Sequence, residues 1–105
     1  MPDNLEIDPF LLDEHTAAHV AELFRAFSDT SRVLLLSKLA VGELNVSALS
    51  HAVGISESAV SHHLRGLRQM HLVKARREGK EVYYRIEDDH LIELFRQGIR
   101  HIQER

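Results

Sequence analysis

The sequence predicts a mainly α-helical domain of about five helices with one small β-hairpin, paired as a homodimer through its first and last helices. Three observations predict it. Most of the chain repeats its apolar residues at helical spacing. After His71 the period shortens to that of strands around Glu78-Gly79-Lys80. The last helix carries an apolar face too wide for one chain of 105 residues to cover.

Residues 1–12 hold both prolines and mixed charge, and are expected to form a loose arm; residues 13–105 form the single domain. A first helix is predicted from Asp13 to Phe27, with Ala17, Val20, Ala21, Phe24 and Phe27 as its apolar positions. Asp29 caps a second, Thr30 to Ala40, whose run Val33-Leu34-Leu35-Leu36 needs burial on several sides. Ser47 reads as the cap of a short third helix ending near Gly54, and Ser56 as the cap of a fourth, Glu57 to Met70. Those two helices, joined through Val53-Gly54-Ile55-Ser56, make a helix-turn-helix. In the fourth helix Val60, Leu64 and Leu67 face the core, and Ser58, Ser61, His62 and Arg65 face away. Strands Leu72–Arg77 and Glu81–Ile86 then form a two-stranded wing, giving a winged helix-turn-helix. From about Asp88 to the end the chain is helical again, with Ile92, Phe95, Ile99 and Ile102 in one stripe, widened by Leu91, Leu94 and Gly98.

Charge is unevenly placed. The net value of −3 is the sum of a segment from Ser61 to Arg85 at +5 and a remainder at −8. A basic surface on an acidic body fits double-stranded DNA. The second helix of a helix-turn-helix enters the major groove, which places Ser58, Ser61, His62 and Arg65 at base edges or phosphates. Arg76, Arg77 and Lys80 on the wing are expected at phosphates, where they position without reading sequence. Singly, these residues fit helix caps and a soluble hairpin as well; in combination they point to DNA.

Cysteine is absent, which excludes disulfides, thiol nucleophiles and soft-metal sites. Any metal must be held by nitrogen and oxygen, so the eight histidines matter. His90 and His101 share a helix face but lie about 16 Å apart along the axis, too far for one ion. His101 and Glu104, at i and i+3, can share one. Asp88 and His90 can do so only if Asp88 lies at or before the helix cap. Two antiparallel copies would set Asp88 and His90 of one chain against His101 and Glu104 of the other, giving two four-ligand sites that suit tetrahedral zinc. The same residues also fit a capping Asp88, a solvated Glu104 and ordinary interface histidines.

From Phe24 to Ile86 the chain resembles the ArsR/SmtB family of bacterial metal-sensing repressors. The resemblance rests on Phe27-Ser28-Asp29-Thr30-Ser31-Arg32-Val33-Leu34, on the stretch from Gly54 to Leu64 (including Ser56-Glu57-Ser58-Ala59-Val60-Ser61-His62-His63), and on Leu72-Val73 leading to Gly79-Lys80. Asp88, His90, His101 and Glu104 match the family's fifth-helix zinc site residue by residue. Many relatives carry Glu-Leu-Cys-Val-Cys where this chain has Glu43-Leu44-Asn45-Val46-Ser47, so the thiolate sites are not available. The resemblance implies a cytoplasmic, non-enzymatic repressor whose apo dimer binds an operator and releases it on binding Zn(II), with Co(II) fitting almost as well in vitro. No organic cofactor or small-molecule substrate is implied, and no membrane span is present. A metal-bound imidazole usually donates its other N–H to a nearby acceptor, so His101 is expected to reach the backbone near His71. The rival readings are a metal-independent repressor, a nickel or cobalt sensor that recruits His15 and His19, and a zinc hydrolase. The last is disfavoured because four protein ligands leave no open position.

Overall fold

The computed structural model describes residue 8 and residues 10–105, so the expected arm over residues 1–12 lies mostly outside the described residues. Five helices and three strands follow in the order α1 (Glu14–Ala26), α2 (Thr30–Leu39), β1 (Leu44–Asn45), α3 (Val46–Val53), α4 (Glu57–Gln69), β2 (Val73–Glu78), β3 (Glu81–Ile86) and α5 (Asp89–Glu104). The expected winged helix-turn-helix is present, with one addition. The wing has a third strand, β1, in an antiparallel sheet of order β1-β3-β2.

Each helix begins where a short polar side chain satisfies an otherwise unpaired amide. Asp13 accepts from the Thr16 amide at 2.7 Å, and that bond holds the Asp13 carboxyl below its usual range. Asp29 accepts from Arg32 at 3.0 Å and Ser56 from Ala59 at 3.0 Å. The third helix corrects the sequence reading: its cap is Asn45, whose Oδ1 accepts from Ala48 at 2.8 Å, and not Ser47. Gly54 ends α3 in the left-handed region, where a side chain would be strained.

The end of α4 determines how the wing is attached. His71 takes φ 61 in the position where glycine usually closes a helix, and its amide donates to the Arg68 carbonyl at 3.0 Å. The Leu72 amide reaches back to the Leu67 carbonyl at 2.9 Å, which completes a Schellman closure. The Leu72 carbonyl in turn accepts from the Glu87 amide at 2.9 Å, one residue before the cap of α5.

The core gathers around Leu35, Leu49, Val60, Leu64, Leu67 and Val73, all fully buried. The α4 spacing of four and three therefore points inward as expected. Of the α2 run, Leu35 and Leu36 are buried while Leu34 stays 44% exposed. Helix α5 buries only Phe95, stacked on Phe27 with ring centroids 5.8 Å apart.

Candidate nucleic-acid interface and metal ligands

The outer face of α4 presents Ser58, Ser61, His62 and Arg65, all exposed, opposite the buried Val60, Leu64 and Leu67. Ser61, Arg65 and Arg68 stand at spacings of four and three, which places them on one stripe. They line an open cleft of about 520 Å³ between α4 and the sheet, together with Leu64, Gln69 and Tyr84. Arg68 and Tyr84 were missed as candidates. The helical spacing from Ser61 would have found Arg68; Tyr84 joins only because β3 folds back beside α4.

Strand alternation divides the basic residues of the wing. Register pairs Arg77 with Val82 and Ala75 with Tyr84, on the face shared with the cleft. Arg76 pairs with Tyr83 and lies on the other face. There its Nε and NH2 donate to Glu43 at 3.2 and 2.9 Å, its NH1 donates to Glu78, and its guanidinium carbon lies 5.1 Å from the Tyr83 ring centre. These bonds raise the Arg76 pKa further and hold the Glu43 carboxyl below its usual range. Arg76 thus ties the sheet to the segment before α3, whereas Arg77 and Lys80 make no ion pair among the described residues. Gly79 takes φ 63 at the first position of the two-residue loop, a geometry that suits glycine, and leaves Lys80 exposed at the tip.

The fifth helix carries the candidate metal ligands at its two ends. Asp88 is the N-cap, with extended backbone (φ −156, ψ 172), and its Oδ1 accepts from the Leu91 amide at 3.1 Å. The same oxygen lies 3.7 Å from Nδ1 of His90, a residue whose side chain is 98% exposed. Two ligands on a tetrahedral ion at about 2.0–2.1 Å stand roughly 3.4 Å apart, so this pair fits zinc with little adjustment. His101 and Glu104 are exposed in the last turn. His101 lines an apolar groove of about 830 Å³ between α1 and α5, beside Phe24, Phe27, Leu94, Ile99 and Ile102. Among the described residues no three candidate ligands meet within one chain, and no hydrogen bond joins His101 to His71.

Comparison with known proteins places this arrangement. A model of the bacterial regulatory proteins of the arsR family matches residues 29–75. The chain is also 46% identical over 99 residues to the transcriptional repressor SmtB homolog of Synechocystis sp., covering 94% of this chain and 75% of that protein. The chain belongs to the arsR family of bacterial regulatory proteins. Among solved structures it is similar to a homodimeric winged helix-turn-helix DNA-binding domain from Mycobacterium bovis, described as a possible ArsR-family transcriptional regulator. That match has a TM-score of 0.80 at 33% identity and covers 90% of this chain and 91% of the other. It is similar too to the AntR antimony-specific transcriptional repressor, with a TM-score of 0.81, 31% identity, and coverage of 99% and 95%.

Asn45 holds the start of α3 in place. Its amide is used twice, Oδ1 capping α3 and Nδ2 donating to Glu81 Oε1 at 2.9 Å. One side chain therefore joins the start of α3 to the wing.

Proposed function

We propose that this arsR-family regulator is a homodimeric, zinc-responsive repressor acting on operator DNA in the cytoplasm, and that zinc bound at the two ends of α5 lowers its DNA affinity. The observation that carries the proposal is the layout of α5. Asp88 and His90 converge at one end, His101 and Glu104 stand at the other, and an apolar face with nothing over it lies between them. Phe24, Ile99 and Ile102 are 54%, 39% and 55% exposed in the single chain and line one groove, a contiguous apolar surface of the kind that marks an interaction site. Gly98 supports the same reading. Glycine inside a helix costs about 1 kcal/mol relative to alanine, and a Cβ there would meet nothing within 4 Å in this chain. Close approach by a partner's α5 gives the glycine a purpose.

An antiparallel partner brings His101 and Glu104 of one copy to Asp88 and His90 of the other, completing two sites of two nitrogens and two carboxylates. Zinc there supplies a fixed charge that locks one relative orientation of the two chains. Ser58, Ser61, His62 and Arg65 read or grip the major groove, Arg68 and Arg77 hold phosphate at the cleft, and Lys80 reaches from the wing tip. Ligation needs neutral imidazole, so zinc binding weakens as pH falls towards about 6. Linkage requires operator DNA to weaken zinc binding by the same factor that zinc weakens DNA binding.

The test is fluorescence anisotropy of labelled operator DNA as zinc is added to apo-protein. The expected result is a loss of affinity of about tenfold or more, within the usual range of coupling energies, and its abolition by His90→Ala or His101→Ala. Tight DNA binding indifferent to zinc, cobalt and nickel would leave a repressor without a metal response.

A further inference from the structure

The proposed function makes no use of two imidazoles on α1. His15 and His19 are four residues apart on α1, one above the other, and their ring centroids lie 4.4 Å apart with planes inclined at 59°. Both are exposed, on the part of α1 that runs ahead of its single buried residue, Ala26. We propose that His15 and His19 form a second divalent-metal site, a two-nitrogen chelate that takes Cu(II) first and Ni(II) next.

The separation indicates the geometry. The centre of an imidazole ring lies roughly 3.2 Å from a metal bound at about 2.0–2.1 Å. Two rings on adjacent corners of a square or octahedral ion then have centres about 4.5 Å apart, and two on tetrahedral corners about 5.2 Å. The observed 4.4 Å matches the right-angled arrangement. Tetragonal sites of nitrogen and oxygen are the preference of Cu(II) and Ni(II), and copper heads the affinity order of divalent ions. Water fills the remaining positions, since among the described residues no third His, Asp or Glu joins a cluster.

The surrounding charge favours a cation independently of the ring geometry. Residues 10–24 hold three carboxylates, Asp13, Glu14 and Glu22, and no Lys or Arg. Glu22 lies one turn beyond His19 on the same stripe, and Asp13 and Glu14 precede His15. A divalent ion therefore enters a field of one sign, unlike the basic surface of α4 and the wing.

The experiment titrates Cu(II) and, separately, Ni(II) into the full chain and three variants, read by visible absorbance and by the nitrogen splitting in the Cu(II) electron paramagnetic resonance spectrum. His90→Ala/His101→Ala protein is expected to keep one tetragonal, two-nitrogen copper per chain, which separates this site from the fifth-helix one. His19→Ala alone is expected to weaken that copper by roughly 10²-fold, the usual gain from joining two weak ligands. His15→Ala/His19→Ala protein is expected to lose it while its zinc titration and zinc-dependent DNA release stay unchanged. Copper affinity within threefold of the parent in the His19→Ala protein, or loss of the signal with His90 and His101 instead, would overturn the proposal. Both α1 histidines are solvent-exposed, and circular dichroism of each variant checks that the helix is intact.

Discussion

Arg76 and Arg77 are adjacent basic residues on the wing proposed to meet DNA, and strand alternation turns them to opposite faces of the sheet. Arg77 shares its sheet face with Ala75, Val82 and Tyr84, beside the cleft lined by Ser61, Arg65 and Arg68. Arg76 faces the other way, with Glu43 bonded through two guanidinium nitrogens and Glu78 through the third. Each phosphate neutralised on a duplex contributes about −0.9 to the slope of log affinity against log salt. Arg77→Ala removes one such contact from each half of the proposed dimer and should therefore make the slope shallower by about 1.8, so that raising salt fourfold costs its operator complex about 12-fold less affinity than it costs the parent. Arg76→Ala should leave the slope unchanged, because its charge is already neutralised within the protein. The assay is anisotropy of labelled operator at several potassium chloride concentrations, with apo-protein at constant pH. A slope that becomes shallower by nearly two units in the Arg76 variant and holds in the Arg77 variant would refute the assignment from strand alternation.

Four further outcomes follow from particular contacts. Asn45→Ala should lower unfolding free energy by about 1 kcal/mol in urea, while Ser47→Ala, at an exposed non-capping position, should stay within about 0.5 kcal/mol of the parent. Glu43 has its carboxyl held below the usual range by Arg76, so its contribution is present above pH 4.5 and lost as pH falls through the lowered value. Melting temperatures of the parent and Glu43→Gln should accordingly differ most near neutrality and converge in acid. Ile99→Asp should shift the protein towards monomer in sedimentation equilibrium with its circular dichroism intact, since that side chain is 39% exposed in the single chain. Glu87→Pro deletes the amide that bonds Leu72. It should preserve zinc binding and reduce the zinc-induced loss of DNA affinity by roughly fivefold, the equivalent of one hydrogen bond at about 1 kcal/mol; full retention of that loss would exclude this bond from the coupling.

What was legible in the sequence was local. The caps Asp29, Ser56 and Asp88 and the inward spacing of Val60, Leu64 and Leu67 are set by residues within one or two turns, and each is where the sequence placed it; the first helix, expected from Asp13, starts one residue later with Asp13 as its cap. The features that escaped depend on partners far along the chain. β1 is two residues long, too short to show a period, and exists because Leu44 and Asn45 pair with Tyr84 and Tyr83. That pairing also decides the contest between Asn45 and Ser47. Asn45 has φ −89 and ψ 174, a backbone that serves at once as the last strand residue and as a helix cap. The capture of Arg76 by Glu43 spans 33 positions and was equally invisible. The candidate ligands were readable as a pattern, and the part that depends on backbone, Asp88 at the cap with its carboxylate near His90, follows from where α5 begins.

The joint between the wing and α5 gives the proposed response a short route to DNA. Only Glu87 and Asp88 separate the last residue of β3 from the first of α5. The Glu87 amide is bonded to Leu72, and the Leu72 amide is bonded to Leu67 in the last turns of α4. The α4 end, the start of β2, the end of β3 and the candidate ligand Asp88 are thus linked by two backbone hydrogen bonds and one peptide step. A ligand drawn towards the partner's His101 and Glu104 would load this joint directly, and the other end of the joint is the helix whose Ser58, Ser61, His62 and Arg65 face outward. His71 sits inside the same closure, with its backbone already in the left-handed region. An acceptor there for His101 in the dimer would apply force to the same joint from the second end of the paired helices. Both routes converge on the C-terminal end of α4, where a small rotation moves the far end of the helix most. A repressor that must keep two recognition helices in register with two half-sites is most sensitive to displacement at that point.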